Sequence, residues 1–174
     1  MTIWVLFAGL PGTGKSTLAR ALAERLGAAV LDKDRVRGAL FPGVLTDYST
    51  EQDELCMRAM LESAVYLTAR QRTAYIFFDG RTFSMQTQIE EVLCVAERAG
   101  ACWRIVHLTC TDAVAEARLA RNDPAHPAKN RDPALYRRIK QQFEPIPQAS
   151  LAVDTTLGVE GRLATVESYL KARD

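Results

Sequence analysis

Gly9-Leu10-Pro11-Gly12-Thr13-Gly14-Lys15-Ser16-Thr17 is the stretch on which the fold turns. The apolar run Ile3-Trp4-Val5-Leu6-Phe7-Ala8 precedes it, and Leu18 to Leu26 follows with helical spacing. The stretch is therefore the turn from a buried strand into a helix, the context in which Gly, four residues, Gly, Lys, Ser reads as a phosphate-binding loop. Gly9, Gly12 and Gly14 accept positive φ and carry no Cβ, so successive N–H groups can turn inward around a phosphate chain. A helix starting near Gly14 adds its positive dipole end. Lys15 supplies a mobile charge for the β- and γ-phosphates, Ser16 a hydroxyl small enough to join the shell of Mg²⁺, and Thr17 a neighbour for the α-phosphate. Pro11 and Thr13 complete the nucleotide-binding positions of the loop.

A chain of 174 residues has the size of one ordinary domain with a single good core. Its formal net charge of +1 gives no reason to expect a polyanion partner, although a basic cleft can hide in a neutral average. Cys56, Cys94, Cys102 and Cys110 fall singly, and two histidines accompany them. That pattern points to free thiols in a reducing cytosol rather than to disulfides or zinc. No stretch is long and apolar enough to span a bilayer, and the start lacks the basic region of a signal peptide, so a cytoplasmic protein is expected.

Strands and helices alternate along the rest of the chain. Gly27 ends the first helix and Ala28-Ala29-Val30-Leu31 reads as a short buried strand ending in Asp32. Asp34 then serves either as the cap of a short helix to about Leu40 or as a functional carboxylate beside the phosphate loop. Thr50 opens a long helix to about Gln71, and Tyr75-Ile76-Phe77-Phe78 is a second buried strand that stops at Asp79. A carboxylate at that position can hold Mg²⁺ or orient a substrate hydroxyl; capping a helix near Thr82 to Ser84 is the plainer alternative. Gln86 to Ala99 is helical, and Cys102 to Leu108 is a strand in which His107 reads as a structural residue. Asp112 is expected to cap the helix 113–121. A strand at Leu151 to Val153 and a helix from Val159 to Leu170 close the domain. Five strands or so alternating with helices specify an α/β three-layer sandwich around a parallel sheet of about five strands, a P-loop NTPase with a lid.

The lid is expected at residues 122–133, which hold three prolines and no apolar periodicity. Arg118 and Arg121 stand before it and Arg131, Arg137 and Arg138 after it. A loop closing over ATP can bring such guanidinium groups to the phosphates, where they offset charge developing in the transition state.

With the loop, Asp34-x-x-Arg37, Asp79 and the arginine-edged flap in place, the chain resembles the small P-loop kinases of the zeta-toxin, chloramphenicol phosphotransferase and polynucleotide kinase group, and within it the AAA-type bacterial kinases. The resemblance runs from Ile3 to Thr156, and the phosphate loop is its specific part. It implies ATP and Mg²⁺, with Asp34 as general base on an acceptor hydroxyl and Arg37 holding the acceptor or the transferred group. It further implies Lys15 and Ser16 as phosphate and magnesium residues, Arg121 as the catalytic lid arginine, and Asp154 and Thr155 beside the adenine. Asp32 remains a rival carboxylate.

The acceptor expected from a compact, near-neutral chain is a hydroxyl of a small metabolite, sugar or antibiotic. Two other functions stay open. A polynucleotide 5′-hydroxyl kinase would need a basic track, which Arg35, Arg37 and Arg81 could begin. A nucleotide-dependent switch would hydrolyse ATP slowly and would give the carboxylate at position 34 no reason to face the γ-phosphate.

Overall fold

The computed structural model describes residues 1–121 and 132–172. Its strands are β1 (Ile3–Ala8), β2 (Ala29–Asp32), β3 (Tyr75–Asp79), β4 (Cys102–Thr109) and β5 (Leu151–Asp154). They form one sheet in the order β2-β3-β1-β4-β5, every pair parallel. Parallel neighbours need crossovers, and the helices supply them: α1 (Lys15–Leu26), α2 (Lys33–Leu40), α3 (Thr50–Ala69), α4 (Gln86–Arg98), α5 (Asp112–Ala120), α6 (Pro133–Gln142) and α7 (Leu163–Lys171).

Alternation along the strands sorts the core into two layers. Trp4, Leu6, Ile76, Phe78 and Ile105 face α3 and α4, meeting Met57, Met60, Ala64, Ile89, Val92 and Ala96. Val5, Phe7, Phe77, Val106 and Leu108 face α1 and α7, meeting Leu18, Leu22, Val166 and Leu170. Phe77 and Phe78 are both wholly buried, one in each layer. At roughly 2–3 kcal/mol per buried aromatic side chain, a one-residue slip of β3 would exchange both rings between layers, so its register is firmly set. A third, smaller cluster joins Ala115 and Leu119 of α5 to Tyr136 of α6.

Three expectations need correction. The strand at β2 is an edge strand and only half-buried up to Asp32. Asp32, not Asp34, caps α2: its carboxylate accepts from the N–H groups of Asp34 and Arg35. Thr111, not Asp112, caps α5, because its hydroxyl accepts from the Val114 N–H. The central place of β1 follows from the crossovers: the chain leaves β1 towards β2 on one side and returns to lay β3 between them, then places β4 and β5 on the other side. The loop after β1 therefore opens at the switch point of the sheet, where α/β proteins bind ligands.

Candidate active site

The phosphate loop takes the conformation its glycines permit. Gly9, Gly12 and Gly14 have φ of 138°, 80° and 88°, and a Cβ on Gly12 would lie 2.8 Å from the Ala115 carbonyl oxygen. Close approach of α5 behind the loop thus demands glycine at position 12 as well as the turn does. Gly14 caps α1 in the left-handed conformation and no side chain caps that helix, leaving its first N–H groups for an anion. Lys15 is buried, and its ammonium donates to the carbonyls of Gly9 at 2.7 Å and Leu10 at 2.9 Å.

Ser16, in the first turn of α1, donates to the Asp79 carboxylate at 3.1 Å. Asp79 ends β3 and is 1% exposed, yet its second oxygen has no hydrogen-bond partner among the described residues. Burial pushes its carboxyl above the usual range, with the Asp32 charge adding to the shift. A hydroxyl and an orphaned carboxylate oxygen beside a phosphate loop fit a hard cation with oxygen ligands. No helix begins at Thr82 to Ser84; the next one starts at Gln86, so Asp79 caps nothing there.

Across the cleft stands a second charged group. Asp34 lies in the first turn of α2, and Arg37, one turn on, donates to it at 3.1 Å. The Arg37 guanidinium also pairs with Asp53 of α3 and lies 5.1 Å from the centre of the Tyr48 ring. Lys33 donates to Asp53 at 2.7 Å. Arg37 is 3% and Lys33 7% exposed, so two buried cations share Asp53. Burial, aided by the Arg37 charge, lowers the Lys33 ammonium to about 8. Burial likewise raises Asp34, against the pull of Lys33. Tyr48 holds φ of 57° and Phe83 of 50°, left-handed backbone that bulky side chains rarely adopt and that concentrates at working sites.

The phosphate loop, Ser16, Lys33, Asp34, Arg37, Tyr48 and Asp53 line one cleft of ≈ 420 Å³, while Asp79 lies buried beneath Ser16. The lining comes from four stretches of chain: Gly12, Gly14, Lys15, Ser16 and Thr17; Lys33, Asp34, Arg37, Tyr48 and Asp53; Arg81, Ser84 and Gln88; and Arg138 and Gln142 of α6. Residues 5–146 match the AAA domain family model, well over half of the chain. The chain belongs to the AAA domain family.

No curated protein matches this AAA domain, but solved structures do. A candidate kinase of Chloroflexus aurantiacus superposes with a TM-score of 0.76 at 20% identity, covering 98% of this chain and 99% of its own. The APS kinase of Mycobacterium tuberculosis, solved with AMPPNP and APS, gives 0.72 at 17% identity with 98% of each chain covered. A gluconokinase of Sinorhizobium meliloti gives 0.68 at 16%, with 95% and 90% covered. The fold is that of the small P-loop kinases, with kinases as its structural neighbours.

Within this AAA domain the remaining site residues fall in three places. Arg118 braces the phosphate loop, donating to the Gly12 carbonyl at 3.2 Å and to the Thr155 carbonyl at 2.6 Å. Thr155 is wholly buried and donates to the Thr13 carbonyl at 2.7 Å, so its hydroxyl joins β5 to the loop from behind. Asp154 is exposed and accepts from the Thr156 amide and hydroxyl. Arg121 is exposed at the end of α5 and does not line the cleft. Arg131, and residues 122–131 of the expected lid, lie outside the described residues; 132 and 133 begin α6. His107 stacks on Phe143 at 5.6 Å and does not line the cleft. Lys33, Asp53 and Gln88 went unmarked by the sequence as site residues, whereas Arg138, one of the arginines expected at the lid's edge, does line the cleft. Asp53 and Gln88 sit on helix faces whose apolar residues dominate the pattern, and only the packing of α3 against α2 brings Asp53 to Arg37.

Proposed function

We propose that this chain is an ATP-dependent kinase that transfers the γ-phosphoryl group to a hydroxyl of a small molecule. The observation that carries the reading is Asp34: a half-buried carboxylate, fixed by Arg37, lining the same cleft as Lys15 and Ser16. Loop amides and the α1 N-terminus would hold the triphosphate, with Lys15 turning from the Gly9 and Leu10 carbonyls to the β- and γ-phosphates. Asp34 orients the acceptor hydroxyl and takes its proton as the new O–P bond forms and the bond between γ-phosphorus and the bridging oxygen breaks. Its raised carboxyl makes it the better base of the two candidates, because Asp32 is spent on capping α2. Ser16 and Asp79 would hold Mg²⁺, which when bound neutralises charge on the phosphates.

Arg37 serves chiefly as a positioning residue, since both of its amino groups are engaged by carboxylates. Arg138, which lines the cleft, is the arginine available to the transferring group, whereas Arg121, the lid arginine that the resemblance implied, does not line it. The basic track of a polynucleotide kinase finds less support: Arg35 is exposed and pairs with Asp32, while Arg37 is buried. The test is ATP consumption by the purified protein against sugars, polyols, aminoglycosides, nucleosides and 5′-hydroxyl oligonucleotides, with mass spectrometry of products. A phosphorylated small acceptor supports the reading; a phosphorylated oligonucleotide alone overturns its small-molecule part.

A further inference from the structure

The lining of the cleft carries charge that the phosphate-transfer machinery does not use. Of the four basic side chains on the acceptor side, Lys33 and Arg37 are neutralised by Asp34 and Asp53. Arg81 and Arg138 have no ion pair among the described residues. Arg81 follows the Gly80 turn, where φ is 79° and a Cβ would lie 2.9 Å from the Lys33 N–H, so the backbone beside it is fixed against α2. Its Nη1 is buried with no hydrogen-bond partner. The acids that act on it, Glu91 and Glu54, do so at longer range, and its guanidinium is held below its usual value by burial. Gln88, which lines the same cleft, has a buried Oε1 that is also unpartnered among the described residues. An amide can turn either end to a ligand, so it can meet a hydroxyl or an anionic oxygen.

A buried guanidinium N–H without an acceptor costs on the order of 1–3 kcal/mol or more, a cost a fold keeps when a ligand regularly repays it. A planar cation with several donors matches a carboxylate or an oxyanion better than a neutral hydroxyl. Resting on the kinase reading above, we propose that the acceptor carries a compact anion, a carboxylate, sulfate or phosphate, which Arg81 binds within the cleft that Gln88 also lines. The anion would place the acceptor by its far end and leave a hydroxyl free for Asp34.

The test keeps the phosphate loop filled. The protein is saturated with Mg²⁺ and AMPPNP, and acetate, sulfate and inorganic phosphate are titrated separately at constant ionic strength by calorimetry. At least one should bind with a Kd on the order of 1 mM or tighter, identifying planar or tetrahedral chemistry. Arg81→Gln should weaken it at least about tenfold, the fold-change expected for loss of a charge-assisted pair, while Arg58→Gln, on the exposed face of α3, leaves it unchanged. AMPPNP affinity reports that each variant is folded. If AMPPNP binds and none of the three anions does, or if Arg81→Gln binds them as tightly as the parent, the inference is overturned with the kinase reading intact. If AMPPNP itself fails to bind, the kinase reading falls and this inference falls with it.

Discussion

Asp53 balances two buried cations, so its removal should be felt in stability before anything is known of the substrate. In Asp53→Ala the helix is not at risk, since alanine is the best helix former. What is lost is the only carboxylate on Lys33 among the described hydrogen bonds and one of two on Arg37. Breaking a buried pair from one side costs about 3–5 kcal/mol; the Asp53 side chain is 30% exposed, so the lower end, about 3 kcal/mol, applies. The loss should depend on pH in a defined direction. Lys33 sits near 8 in the fold against 10.5 in the free chain, so the unfolded chain binds more protons between those values and stability rises as pH rises through that window. Without Asp53 the folded value falls further, and relief begins at lower pH. The difference between parent and variant should therefore shrink between pH 7 and pH 9, by about 1 kcal/mol. Urea unfolding followed by circular dichroism at the two pH values measures it. A loss below about 0.5 kcal/mol, or an equal loss at both pH values, would refute the view that Lys33 is held charged by Asp53.

Three further outcomes are expected. Lys15→Met should weaken Mg²⁺·ATP binding by about 100-fold or more, from two charge-assisted hydrogen bonds at about 1.5–3 kcal/mol each; titration with a fluorescent ATP analogue reads it. Asp34→Asn should retain nucleotide affinity and lose about 10²–10⁴ in transfer to whichever acceptor the screen identifies; near-parental turnover would remove Asp34 from the base role. Asp79→Asn should melt about 2–4 °C above the parent without ligand. Its folded carboxyl is raised, so stability falls as pH rises from its free value through its folded one, and asparagine removes that cost at neutral pH. The same variant should lose the stabilisation that Mg²⁺ adds to nucleotide, which calorimetric melting with and without the metal detects.

The nonapeptide at Gly9–Thr17 and the strand-helix alternation carried the fold in plain view, because both are local: one needs fixed spacing, the other periodicity. Asp79 and Asp34 were legible for the same reason, the one ending a strand and the other two residues past one. Asp34 was nevertheless misassigned as a possible cap, since Asp32 and Asp34 are equally good capping residues by type and only backbone geometry separates them. Asp53 and Gln88 were not legible. Each lies on a helix remote in sequence from the loop, and nothing in the residue itself says which neighbour a crossover will bring against it. Thr155 shows the converse: the resemblance implied a place for it beside the adenine, but its hydroxyl points into the protein to the Thr13 carbonyl of the phosphate loop.

The most direct measurement of phosphoryl transfer uses ATP labelled with ¹⁸O in the γ-phosphoryl group, incubated with the protein, Mg²⁺ and the acceptor panel, with every product analysed by mass spectrometry. The account predicts the label in a phosphate ester of a small hydroxylated acceptor, absent with Lys15→Met and with Asp34→Asn. Label found only in free inorganic phosphate, at a rate no acceptor changes, would contradict it and leave a nucleotide-hydrolysing switch in its place.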